Sequence, residues 1–286
     1  MKRNSKEKWI HQIILFMALI TLACGITFTG VNDTSEGDLM ATQVALGATQ
    51  TALAAGQLPQ GETTDDMAPR VSYNGVSLIP PSGWTMSTQT VPADAAMEAF
   101  WSVPQHDCFE VASYPVNNDY HPPQIKIFSV DAFGEINESA QERVVELKTL
   151  LAHRPAVPVG AIPFLPIFNA AQMVQVKVAF LDFQNGSGVR FLTQFGQAFW
   201  PLNNRGMVYA YIGLTHDGQY LVSALLPIAH PALEPYTDFQ PPADFYDAAE
   251  QFLSDQVGVL KAQPDESFTP ALGDLDAMIK SLSVEK

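Results

Sequence analysis

Between residues 173 and 226 apolar and polar positions alternate with the period of two that marks a strand covered on one face. Val174, Val176, Val178 and Phe180 fall on one side of residues 173–183, with Gln175 and Lys177 on the other. QNGSG at 184–188 then places a hairpin turn whose glycines are expected to supply positive φ. Val189, Phe191, Thr193 and Phe195 share a face of the return strand, and NNRG at 203–206 forms a second turn. Residues 207–214 and 219–226 make another hairpin around THDG at 215–218, completing a four-strand meander. Upstream, residues 71–79 read as strand with a hairpin at Asn74-Gly75, closed by Pro80-Pro81. Residues 109–114 and 124–130 read as two further strands.

Helical spacing replaces this alternation in three places. Ile136, Ala140, Val144, Leu147 and Leu151 recur three and four apart and predict a helix over 137–152, stopped by Pro155. Phe245, Ala249, Phe252, Val257 and Leu260 form the inner face of a helix over 243–262, and Leu275, Met278, Ile279 and Leu282 that of one over 272–282. Residues 154–168 carry four prolines and cannot be regular helix or central strand; Phe164, Leu165 and Phe168 predict a loop ordered by packing. Strands follow one another through hairpins without βαβ alternation. The expected fold is therefore α+β: a mainly antiparallel sheet, a long meander, with helices packed on it as one domain over 70–286.

The first 69 residues have a different character. Lys2, Arg3, Lys6 and Lys8 precede an apolar run, IILFMALITLA at 13–23, and then Cys24. This is the layout of a secretory signal over 1–23, and residues 22–25 (LACG) resemble a bacterial lipobox, although Thr21 stands where that family usually has Leu or Val. The resemblance implies lipidation at Cys24. The alternative is an uncleaved transmembrane anchor, since residues 13–31 hold no charge. Both place the domain outside the cytoplasm, anchored to the bacterial cell membrane. Residues 25–69 read as a flexible, partly helical tether containing a seven-residue repeat, ATQVALG then ATQTALA at 41–54, with Leu39, Leu46 and Leu53 in step. Two heptads suit a spacer, or an oligomerising stalk.

Charge narrows the function. The 286-residue chain holds 30 acidic and 15 basic side chains, a net charge of −15. Removing residues 1–23 leaves 29 acidic and 11 basic side chains, a net charge of −18. Such a chain lacks the basic face that nucleic acid requires, and its charge keeps it away from anionic lipid. With Cys24 lipidated, Cys108 has no partner and reads as a small buried hydrophobe.

VSYNGVSLIP at 71–80 looks like the opening strand pair of the PsbP-like fold, the extrinsic-subunit family of photosystem II and its bacterial lipoprotein relatives, and LDAMIKSLSV at 275–284 is similar to its closing helix. PFLPIFNAAQ at 163–172, NGSGVRFLTQ at 185–194 and GLTHDGQYLVSALLP at 213–227 are similar to an uncharacterised group of bacterial surface lipoproteins. These resemblances imply architecture and location and carry no functional residue.

Motifs for chemistry are sparse. The histidines show neither CxxC nor HExxH spacing, so no metal and no cofactor is expected, even with His106, Asp107, Cys108 and His121 as possible donors. There is no GxSxG elbow, no SxxK and no phosphate loop. Arg190 lies in an apolar strand pattern and needs a partner: a structural ion pair, a solvated face, or an anionic ligand. Candidate ligand contacts are Arg190, His121, His230 and Asn169; Asn203 and Asn204, read as turn residues, would line the same mouth. Tyr209, Tyr211 and Tyr220 suggest a cross-strand cluster, read as packing in preference to a carbohydrate platform. The expected function is a non-enzymatic, membrane-anchored lipoprotein acting as an interaction or assembly module with a protein partner in the envelope. The alternative is a small-ligand-binding solute or sensor lipoprotein with a pocket near Arg190 and the proline-rich loop.

Overall fold

Asn74 (φ 47°) and Gly75 (φ 73°) both take the left-handed conformation that a two-residue hairpin needs. They join β1 (Val71–Tyr73) to β2 (Val76–Leu78) as the sequence predicts. The computed structural model describes residues 69–94, 101–240, 242 and 244–286. The expectations about the signal segment, Cys24 and the tether repeat lie outside them.

The main sheet is built from β3 (Met86–Val91), β4 (His106–Val111), β5 (Gln124–Ser129), β6 (Ala171–Gln172), β7 (Val176–Phe183), β8 (Gly186–Gly196), β9 (Met207–Thr215) and β10 (Tyr220–Pro227). Its order is β3-β4-β5-β10-β9-β8-β6, with β7 also on β8. Every pairing is antiparallel. Helices α1 (Val130–Ile136), α2 (Glu138–His153), α3 (Phe245–Ala262) and α4 (Leu272–Lys280) cover it. The α+β, mainly antiparallel fold is as the sequence predicts. β11 (Ser283–Val284) pairs with β2, completing a three-stranded ribbon that joins the two ends of the domain.

Alternation along β9 explains how the sheet is covered. Met207, Tyr209 and Tyr211 enter one core with Leu78 of β2, Leu253 and Leu260 of α3, and Leu275 and Ile279 of α4. Ala210, Ile212 and Leu214 enter the other with Phe133, Val144, Leu147 and the loop residues Ile162, Phe164 and Leu165. All nine positions of β9 are buried, as expected of a strand covered on both faces. The proline-rich loop is therefore structural: Ser223 Oγ donates to the Leu165 carbonyl (2.5 Å), and the Ile162 N–H donates to Gln172 Oε1 (3.0 Å).

Local expectations fail in five places. The alternation read for β7 breaks at a bulge between Val176 and Ala179, where Lys177 has φ 54°. Val176 consequently packs in one core and Val178 and Phe180 in the other. The turn glycines Gly186 and Gly188 do not have positive φ; both are paired within β8. Strand β3 escapes the pattern because its run, MSTQTV, is half-exposed and polar. In α3, Leu253 and Gln256 are the buried positions between Ala249 and Leu260, while Phe252 and Val257 are half-buried. Residue 130, expected to end the strand over 124–130, opens α1 instead, where Ser129 caps the helix by accepting from the Ala132 N–H (3.3 Å).

The C-terminal residue closes the ribbon onto the sheet. Lys286 Nζ pairs with Asp107, which also accepts from Thr90 Oγ1 (2.8 Å) and Asn74 Nδ2 (3.2 Å). Burial pushes the Asp107 carboxyl up, but its bonds to Lys286, Thr90 and Asn74 prevail and hold it below the ordinary carboxylate value. A depressed carboxylate stabilises above its unfolded pKa and loses that contribution as pH falls through the folded one. Asp107→Asn should therefore cost about 2 kcal/mol at pH 7, in the range for charged hydrogen bonds. In urea unfolding the gap between wild type and variant should shrink below about pH 4.

Candidate functional site

One end of the sheet gathers four loops, because β8 and β10 finish there while β5 and β9 begin. Residues 119–121, 168–170, 196–206 and 237–240 supply most of the lining of a cleft of about 750 Å³. One wall is a ring cluster: His121 lies 5.1 Å from Phe168 and 5.8 Å from Phe195, and Phe168 and Phe195 meet at 4.9 Å. On another side Trp200 and Phe239 stand perpendicular, 6.4 Å apart. Tyr120 (72% exposed) and Trp200 (36% exposed) are open to solvent.

Buried amides hold the floor. Asn203 Oδ1 accepts from the N–H groups of Arg205 (3.0 Å) and Gly206 (3.1 Å), shaping the turn expected at 203–206. Gln194 Oε1 accepts from the Asn203 N–H (3.1 Å), and the amides of Gln194 and Asn203 both donate to the Pro201 carbonyl (3.2 and 3.0 Å). Gln256 of α3 clips this loop by accepting from the Leu202 N–H (2.9 Å) and donating to its carbonyl (3.1 Å). On the opposite side Asn118 Oδ1 accepts from the N–H groups of Tyr120 and His121 (both 2.9 Å). The Asp119 N–H donates to the Arg205 carbonyl (3.1 Å), and Gln197 Nε2 to that of Asn169 (2.8 Å). Three of the loops are thus hydrogen-bonded to one another and 237–240 joins them through the Arg205–Asp238 pair, so the shape of the cleft is built into the fold.

The electrostatics are simple. Arg205 pairs with Asp238 at 3.1 Å, and both are exposed. Asp119 forms no ion pair among the described residues. Burial and the nearby Lys126 hold His121 below its ordinary value, so its ring is neutral near pH 7.

Of the four candidate contacts, His121 and Asn169 line this cleft and the other two do not. Arg190 is buried within β8, bonded by Nη1 to the Lys177 carbonyl (2.5 Å) and by Nη2 to Asp276 Oδ2 (3.1 Å). Its place is a structural ion pair, and the pocket expected beside it opens instead at the far end of the proline-rich loop. His230 caps a short 3-10 segment (Pro231–Tyr236): Nδ1 accepts from the Ala232 N–H (3.1 Å), leaving Nε2 to donate to Ser267 Oγ (3.0 Å). Both of its nitrogens are committed to the fold. Asn203 lines the cleft as expected; Asn204 instead brackets His230, accepting from its N–H (2.9 Å) and donating to its carbonyl (3.2 Å). Tyr209 and Tyr211 are core residues whose hydroxyls donate to Asp276 Oδ1 (2.9 Å) and the Leu181 carbonyl (3.1 Å), while Tyr220 lies beneath Lys286.

Tyr120, Trp200, Arg205 and Phe239 also line the cleft and are not among the contacts expected from the sequence. The available signal was the Phe199-Trp200 doublet, two large aromatics in a turn-rich loop where packing does not require them. The metal candidates separate: His106 Nδ1–H donates to the Pro104 carbonyl (2.9 Å), Asp107 belongs to Lys286, and Cys108 is 2% exposed with its thiol pushed up by burial. Among the described residues no cluster of three His, Cys, Asp or Glu could hold a metal ion, and no helix is long and apolar enough to cross a membrane. No protein-family model and no curated protein matches the chain.

Proposed function

We propose that the protein is a membrane-tethered, extracytoplasmic binding module that engages a small molecule through the aromatic cleft and performs no chemistry on it. The observation that carries this is the cleft itself: a preformed concavity of about 750 Å³ with solvent-open rings on two sides and a floor of committed amides. Its lining contains no Ser, Cys or Lys, and of the groups that could act on a bound molecule Asp238 is engaged by Arg205. The tether and location rest on the signal-like first 23 residues and Cys24. A PsbP-like architecture belongs to the same proposal, supported by the two quoted segments meeting in the β1-β2-β11 ribbon.

A second reading, docking of an envelope protein, is favoured by the rings outside the cleft. Phe199 (44% exposed) and Tyr246 (57% exposed) are open to solvent, and Tyr246 adjoins a cluster of Tyr236, Phe245 and Phe252 that continues from Phe239 of the cleft wall. Exposed aromatics of this kind anchor protein interfaces.

Thermal unfolding against a small-molecule library separates the readings. At least one compound should raise the melting temperature of the wild type, by mass action on the folded state. Trp200→Ala should abolish that response, read against the variant's own melting temperature; the side chain is 36% exposed and packs edge-on to Phe239, so its loss also costs about 1–3 kcal/mol of stability. A library that shifts neither protein, or both equally, contradicts the proposal.

A further inference from the structure

Resting on the reading of the cleft as the binding site, we propose that its ligand is a small organic cation whose charge sits on an alkylated ammonium. Three observations on the lining favour this class over an anion or a neutral sugar.

First, the rings stand on two sides, His121, Phe168 and Phe195 on one and Trp200 with Phe239 on the other. Ring faces attract a cation through their quadrupoles, and an alkylated ammonium brings apolar surface to the same rings. Second, the charge balance is acidic. Arg205 is the one Lys or Arg of the lining and is occupied by Asp238, whereas Asp119 has no ion-pair partner among the described residues. An anion would meet no free cation there. The flanking sequence strengthens the field: residues 231–255 carry Glu234, Asp238, Asp244, Asp247, Glu250 and Asp255 and no Lys or Arg. Of these Asp238 lines the cleft, and the run as a whole draws cations to this part of the chain. Third, three of the five side-chain amides in the lining are spent. Gln194, Gln197 and Asn203 donate to carbonyls of the loops they hold. A sugar needs free hydrogen-bonding groups for several hydroxyls, and of the five amides in the lining only those of Asn169 and Gln240 form no hydrogen bond among the described residues.

The test is calorimetric titration of the full chain with choline and tetramethylammonium chlorides, beside 3,3-dimethylbutan-1-ol, the uncharged carbon analogue of choline. The cations should bind saturably and the analogue at least about tenfold more weakly. Raising sodium chloride to about 0.5 M should weaken cation binding by screening Asp119. Asp119→Asn should weaken it about tenfold, and Trp200→Ala by at least as much, with unchanged melting temperature for Asp119→Asn. Equal binding of the analogue, or cation binding indifferent to both substitutions, overturns the proposal. If neither cation binds while another library compound gives a Trp200-dependent thermal shift, the ligand class is wrong and the binding-module reading stands. If no compound gives such a shift, both fall.

Discussion

Arg190→Met should destabilise the protein by about 3–5 kcal/mol, the largest loss expected from a single polar substitution here. The guanidinium is 5% exposed and supplies a charged partner to Asp276, which is 14% exposed. Removing it leaves that carboxylate buried with only the Tyr209 hydroxyl, and leaves the Lys177 carbonyl without its donor. Asp265, 3.8 Å away and 45% exposed, adds little because water screens it. Combining Arg190→Met with Asp276→Asn removes the orphaned charge and keeps an acceptor for Tyr209, so the double variant should be more stable than Arg190→Met alone. Urea unfolding of the four proteins in the cycle measures this coupling directly. Additive losses would show that the pair is not a unit. A folded Arg190→Met that loses ligand response in the thermal screen would return Arg190 to the binding site.

Gly188→Ala should cost about 3 kcal/mol by overpacking. A Cβ at this position would lie 2.5 Å from the Ile212 carbonyl oxygen and against the Tyr211 ring. The ring cannot retreat easily, because Tyr211 is fully buried and its hydroxyl is bonded to the Leu181 carbonyl. Gly188 is therefore glycine for close approach across the β8–β9 pair, and its φ is ordinary. Alanine at Gly218 is a useful comparison: there φ is +72° and the nearest atoms belong to the flexible Lys148 side chain, so the cost should be about 1 kcal/mol. A loss at Gly188 no larger than that at Gly218 would mean that the β8–β9 pair yields around the added methyl group and that close approach does not require glycine there.

The meander was readable because its signals are local. Short loops rich in Gly, Asn and Asp separate strands whose alternation persists over several residues, and α2, α3 and α4 carry clear helical spacing. The misses have identifiable causes. β3 is a polar edge strand, so burial imposes no pattern on it. The β7 bulge inverts the facing of residues after Val176, which a strict period of two cannot anticipate. The cleft was legible only in fragments. His121 and Asn169 stand out in the sequence as isolated polar residues near prolines, but the residues that complete the site come from four loops spread between Asp119 and Gln240. Only the folding of the sheet brings the ends of β5, β8, β9 and β10 together. Arg190 shows the reverse case: a charge in an apolar strand pattern correctly announces that it needs a partner, and leaves open whether that partner is Asp276 or a ligand.

Crystallographic soaking of the full chain with a fragment panel that includes quaternary ammonium compounds tests the assignment of the binding site most directly. Bound fragments should gather between Phe168, Phe195 and Trp200, with Asp119 facing their charged end and the Arg190–Asp276 pair undisturbed. Fragments collecting instead in the proline-lined groove beside Trp84 and Ala271, or displacing Asp276 from Arg190, with the aromatic cleft left vacant, would contradict it.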